Sequence, residues 1–328
     1  MPPDSRGFRL GMMSAIAAHL LWGVFPLFWR ELRSVHPLEV VSHRVIWASG
    51  IILLGLPIIL RLLGNSERKR VAQTLLQKKF VATYVLAGVL IGTNWLTFIW
   101  AVSNNRVLEA SLGYFISPLL SVVLGVLVIR ERLSRAQWSA VWVTAFGVLV
   151  MAIAGGKPPW VSLCLAGSFA VYGLVKKQAP LPALIGLLIE NAVLILPAAI
   201  FLTYWQAQGN STFGADSYLT VFMLLGGCIT IAPLALFAYA APRVPLATIG
   251  ILQFIGPTMQ FIIGAFILAE PFDRWKLFGF SFVWIGLVVY LLDTTRQNQP
   301  ASKTGENATG DKSAGNSVPA ETTLVTSE

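Results

Sequence analysis

The chain has 328 residues, 55% of them hydrophobic and 12% charged, with a formal net charge of +9. Soluble domains carry about 25% charged residues, so this composition excludes an ordinary water-soluble globular protein. The Lys and Arg lie in short runs between apolar segments instead of on one amphipathic face, which excludes a nucleic-acid partner and reads as loop anchoring at a membrane surface.

A helix crosses about 30 Å of hydrocarbon with roughly 20 apolar residues. That ruler predicts ten spans, at 9–29, 38–60, 80–102, 108–129, 136–154, 159–175, 182–205, 217–241, 246–269 and 275–292. The runs are continuously apolar without alternation of period two, which favours helices over barrel strands. The first is too long for a signal h-region, and its small-residue site, Ala15-Ile16-Ala17, falls mid-run, so an uncleaved helix is expected. His19, Trp22, Gly23 and Pro26 share one face of it, either lining a cavity or packing on a neighbour. In the second span Arg44 is read three ways: an anchor for a substrate carboxylate, a partner for Glu190, or a snorkelling cation. His43 beside it is expected to pack or orient.

Asn94 and Tyr114 are cavity candidates in the third and fourth spans, and Gly88 with Gly92 forms a GxxxG helix-packing signal. Arg106 and Glu109 open the fourth span, where a carboxylate suits the helix dipole. Pro118 and Pro257 are expected to loosen or bend their helices. Cys164 and Cys228 sit in apolar windows as free packing residues, and no zinc spacing occurs. An ionised side chain at mid-bilayer costs about 2.5–3.5 kcal/mol, so Glu190, deep in the seventh span beside Asn191, asks for a reason. It is either a proton- or ammonium-binding group, and hence the coupling candidate, or a hydrogen-bonded packing carboxylate. In the ninth span Gln253, Gly256, Pro257 and Gln260 share a face suited to a polar cavity or to interhelical hydrogen bonds. Beyond residue 293 the pattern stops, and a disordered tail is expected.

With the N-terminus inside, fifteen Lys and Arg fall in inner segments, including Arg61, Arg68, Lys69, Arg70, Lys78, Lys79, Lys176 and Arg243. Six fall outside: Arg30, Arg33, Arg106, Lys157, Arg274 and Lys276. This asymmetry places both termini in the cytoplasm.

An internal repeat organises the chain. Adding 139 to Pro118, Gly125, Glu131, Arg135 and Gly147 gives Pro257, Gly264, Glu270, Arg274 and Gly286. Ser134 and Asp273 also correspond, each a good N-cap, and Gln137 gives Ser134 the spacing of a capping box. Glu131 and Glu270 recur at helix ends, where a structural role is expected. Five helices per half invert the second half relative to the first, the arrangement of many secondary transporters. The expected architecture is an all-α polytopic membrane protein of two inverted five-helix repeats, 1–155 and 156–293, followed by a disordered cytoplasmic tail, 294–328.

The residues resemble the EamA-type drug/metabolite transporters, specifically the RarD group, over roughly 7–293. The resemblance is carried by Trp22-Gly23, Glu39, His43-Arg44 and Trp47, Asn94-Trp95, and the run from Arg106 through Phe115 to Pro118. Glu131-Arg132-Leu133-Ser134, Tyr172-Gly173, Glu190 and Gln253 through Thr258 with Gln260 complete it. Ser117 departs from the pattern, where Asn is expected. The resemblance implies ten helices in a bacterial inner membrane and movement of small solutes; the group's label of chloramphenicol sensitivity names a phenotype, not a substrate.

No GxxxxGK[ST], HExxH or GxSxG motif occurs, so neither nucleotide drive within this chain nor hydrolytic chemistry is expected. No cofactor, metal or nucleic-acid partner is expected; the partners are a small-molecule substrate and the lipid bilayer, with a homodimer left open. The functional expectation is alternating access around a cavity lined by spans one, three, four, seven and nine, with proton coupling through Glu190 as a secondary reading. Its rival is a membrane sensor or assembly protein built on the same scaffold.

Overall fold

In hydrocarbon every backbone N–H and C=O must find a partner within the chain, which a helix achieves within a single segment. The computed structural model is accordingly helical, with no strand among its described residues, which are 5–62, 64–129, 133–154, 158–176, 181, 183–240, 243–244 and 252–297. The helices are α1 (Ser5–Arg30), α2 (Pro37–Leu62), α3 (Asn65–Leu75), α4 (Lys78–Ser103), α5 (Val107–Leu124) and α6 (Arg135–Ala154). There follow α7 (Trp160–Lys176), α8 (Ala183–Ala207), α9 (Ser217–Ala240), α10 (Ile255–Ile262) and α11 (Arg274–Gln297). Among the described residues, eight helical segments are long and apolar enough to cross a membrane, and two shorter apolar ones run Trp160–Lys176 and Ile255–Ile267. The expected disordered tail, Glu131 and the opening of the ninth span lie outside the described residues.

The outer surface is apolar on nearly every long helix. Leu54, Trp142, Ile153, Leu196 and Phe266 are each more than 65% exposed, a distribution that water would penalise and acyl chains accept. On α1 the exposed Leu20, Val24 and Leu27 alternate with the buried Ala18, His19, Phe25 and Trp29, so the face carrying His19 points inward.

One element departs from the ruler. The segment read as a charged loop between the second and third spans contains α3, whose eleven residues are too few to cross a bilayer. Its Val71 packs on the Tyr84, Leu181 and Ile185 cluster, while Glu67 and Arg70 stay exposed.

The caps follow the sequence closely. Gln137 N–H donates to Ser134 Oγ and Ser134 N–H donates to Gln137 Oε1, both at 3.0 Å, a reciprocal capping box at α6. Lys276 N–H donates to Asp273 Oδ1 at 2.8 Å at the start of α11. Glu270 caps a helix that is not its own: its carboxylate accepts the N–H groups of Val107 and Leu108 at 2.6 and 2.8 Å, closing the orphan N-terminus of α5. Burial pushes the Glu270 carboxyl above the usual carboxylate range, with the two amide N–H groups pulling against it.

Two features recur at, or within one residue of, the 139-residue offset. After Pro118 the helix α5 widens into a π turn at Gly125–Ile129, and after Pro257 α10 does the same at Ile263–Ile267. At the α6–α11 seam, a methyl on Gly147 would lie 2.6 Å from the Gly279 carbonyl, and one on Gly286 would lie 2.8 Å from the Ala140 carbonyl. Residue 147 maps onto 286, and 140 onto 279, so the seam reads the same from either helix. The remaining core divides between a cluster built on α1, α2, α4, α7, α8 and α9 and a second built mainly on α5, α10 and α11.

Candidate functional site

The inward faces carry the polar residues, and the described structure sorts them into four groups. Deepest in α8, Glu190 is wholly buried. Its Oε1 lies 2.6 Å from Lys176 Nζ at the end of α7, and Tyr172 OH donates to its Oε2 at 2.9 Å. Gly186 makes room for this pair, since a methyl there would stand 2.8 Å from Lys176 Nζ. Glu190 is therefore partnered by Lys176 and not by Arg44, which answers one of the three readings of Arg44. Lys176, read from sequence only as a loop anchor, was the missed member. Lysine at the end of one helix, with a carboxylate two turns into the next, was the signal. Asn191 beside it is fully buried with both amide atoms unpartnered.

At mid-helix, Asn94 Nδ2 donates to Leu165 O at 3.1 Å and to Ser168 Oγ at 3.0 Å. Tyr114 OH donates to Asn94 Oδ1 at 3.1 Å. This network ties α4, α5 and α7 together. The GxxxG of α4 packs on α8 itself: a methyl on Gly88 would meet the Glu190 carbonyl at 2.8 Å, and one on Gly92 would meet the Leu194 side chain at 3.0 Å.

On α2 the Arg44 guanidinium lies 4.1 Å from the ring centre of Trp95 and 5.2 Å from that of Trp29. The side chain is only 5% exposed, so it does not snorkel to the surface. His43 stacks on Phe213 at 4.3 Å, with both ring nitrogens unpartnered. Glu39, quoted from sequence without a role, holds down the loop that carries Phe213. It accepts from Trp205 Nε1, Ser211 Oγ and the N–H groups of Thr212 and Phe213 at 2.8–3.3 Å.

The fourth group joins α1, α9 and α10. His19 Nδ1 bonds to Ala15 O at 2.7 Å, and its ring meets those of Trp22 and Phe237 edge-on at 5.1 and 5.9 Å. Gln260 Nε2 donates to Trp22 O at 3.1 Å, leaving Gln260 Oε1 buried and unpartnered. Ser111 Oγ donates to the Pro257 carbonyl at 2.9 Å, linking α5 to α10 beside a proline. Gln253 does not join its sequence neighbours. Gln253 lies in a turn at 253–254 just before α10 and is exposed, whereas Gly256, Pro257 and Gln260 are buried. Pro118 is half-buried within α5, seven residues before its π turn begins.

Against known proteins, residues 9–153 match the model of the EamA-like transporter family. The chain is 43% identical to "Protein RarD" of Streptomyces exfoliatus, covering 88% of this chain and 90% of that one. It is 38% identical to "Protein RarD" of Escherichia coli over 92% of this chain and all of that one. An "Uncharacterized transporter" of Vibrio cholerae is 36% identical over 92% of this chain and 99% of that one. A solved crystal structure aligns with a TM-score of 0.57 at 16% identity, covering 88% of this chain and 98% of that one, a likeness of fold alone.

Proposed function

Because this chain belongs to the EamA-like transporter family, in its RarD group, we propose that it is a secondary transporter that moves small solutes by alternating access. The two moving bodies are inverted five-helix repeats, residues 1–155 and 156–293, set in a bacterial inner membrane with both termini in the cytoplasm. The observation that carries this reading is the doubled α6–α11 seam, in which residue 147 meets 279 as 286 meets 140. The twin π turns support it too, since π turns accumulate at functional positions in helices. So do the helix partners: α5 packs on α7 as α10 packs on α1, and α2 packs on α9 as α8 packs on α4. Each pair maps onto the other when the halves are exchanged. Substrate sites in such folds lie at the repeat interface near mid-membrane, where Asn94, Tyr114 and Ser168 meet.

Glu190 is the coupling residue in this reading. A proton placed on it would neutralise the carboxylate that holds Lys176 and Tyr172, freeing α7 from α8 at one end of the cavity. The purified full-length chain in proteoliposomes, offered labelled amino acids, chloramphenicol and benzoate in turn, should move at least one solute saturably and respond to an imposed pH gradient. Glu190→Gln should remove the gradient response. Flux no faster than in protein-free vesicles for every solute would favour a sensor or assembly role, and an intact gradient response in Glu190→Gln would remove the proton from the scheme.

A further inference from the structure

Buried polar atoms without partners are rare in folded proteins and ask for an explanation. Among the described residues eleven such side-chain atoms occur, and five of them belong to Trp29, His43, Arg44 and Trp47. These residues form one neighbourhood. Arg44 lies over the ring of Trp29, while His43 and Trp47 both stack on Phe213. Methyls on the consecutive glycines Gly226 and Gly227 of α9 would meet Trp29 and Trp47 respectively.

Three of these four residues are one-sided in their chemistry. Trp29 Nε1, Arg44 Nε and Trp47 Nε1 are donors only. The faces of Trp95 and Trp29 attract the guanidinium cation, but a ring face accepts none of its in-plane N–H bonds in the way an oxygen does. The edge of the guanidinium, the part that takes a carboxylate through two parallel hydrogen bonds, is bonded to no described residue. Each buried acid of the described structure is already engaged. Glu39 is held by the Phe213 loop, Glu190 by Lys176 and Tyr172, and Glu270 by the start of α5. Half-buried Glu109 is paired with Arg106. Arg44 thus brings a positive charge and surplus donors, and among the described residues no free acid is there to receive an ammonium.

We propose that Arg44, walled by Trp29 and Trp95, binds the carboxylate of a net-negative organic acid with a planar or apolar body, and that this class is the transported solute. A single guanidinium balances one negative charge, which suits a carboxylate over a phosphate dianion. The absence of a free acid among the described residues disfavours cationic and zwitterionic solutes. This deepens the transporter reading and rests on it for the word "transported"; the binding site itself stands without it.

The test separates the two. Equilibrium binding to the detergent-purified full-length chain is measured by thermal shift and tryptophan fluorescence with benzoate, 3-phenylpropionate and indole-3-acetate, each against its neutral amide. The expected result is saturable stabilisation by at least one acid and a tenfold or larger preference for that acid over its amide. Arg44→Gln should weaken binding at least tenfold, and Arg44→Lys should retain part of it. Equal binding of acid and amide, binding by Arg44→Gln equal to the unsubstituted chain, or no response to any acid overturns the proposal. Should Arg44→Gln fail to fold, the acid–amide comparison on the unsubstituted chain decides alone. Acid binding without flux in vesicles would refute transport and leave the site; flux of neutral or cationic solutes without acid binding would refute the site and leave transport.

Discussion

Lys176 and Glu190 show how a single charge can be held inside an apolar helix bundle. Removing one partner of a buried ion pair costs about 3–5 kcal/mol, because the other charge is left bare, whereas replacing both by apolar groups is often nearly neutral. Lys176 is partly exposed and Glu190 fully buried, so the costs should be unequal. Lys176→Met should lower the thermal midpoint in detergent more than the double change Lys176→Met with Glu190→Gln; equal midpoints would mean the pair is not coupled. Glu39 holds the α8–α9 loop through four donors. Glu39→Ala should therefore make residues 208–216 the first site of limited proteolysis, and a cleavage pattern unchanged from the unsubstituted chain would contradict that role. At this scale the sequence identified which residues are unusual but not always their partners. Glu190 and Asn94 stand out because polarity in an apolar run is costly wherever it points. The choice of Lys176 over Arg44 depended on how two helices lie side by side, which no single-helix pattern contains.

Helix ends and seams were the most legible elements. The capping box at Ser134 and the cap at Asp273 are local, so spacing alone specified both. An N-cap deletion costs about 1 kcal/mol. Ser134→Ala should exceed Asp273→Ala in thermal destabilisation, because Ser134 Oγ also donates to Asp293 at 2.8 Å. The GxxxG of α4 likewise meant what its spacing suggests, a backbone approach, here to α8. Gly88→Val would drive side-chain atoms onto the Glu190 carbonyl, and a large loss of folded yield on size-exclusion chromatography is expected. Two elements escaped the pattern. Charge dominates the sequence of α3, which therefore reads as loop, although a short amphipathic helix needs only a narrow apolar stripe, here with Val71 packed inward. The 3.6-residue period assumes a continuous helix, and Gln253 instead sits exposed in the turn at 253–254 that precedes α10.

At the scale of the whole molecule, residues 140, 147, 279 and 286, related by the offset of 139, meet pairwise at the α6–α11 seam, and polar residues of 1–155 meet those of 156–293. Asn94 of the first half donates to Ser168 of the second, and Gln260 of the second donates to the Trp22 carbonyl of the first. The proposed alternating access requires the contact between residues 1–155 and 156–293 to meet water on each side in turn. Ser168, buried at the middle of α7, is the place to look. Ser168→Cys in a chain carrying Cys164→Ala and Cys228→Ala, oriented in vesicles, can be challenged with a membrane-impermeant maleimide from each face separately. Reaction from both faces, with a transported solute slowing it, is the expected result. Reaction from neither face, with labelling only by a lipid-soluble maleimide, would mean that no aqueous chamber opens between the halves.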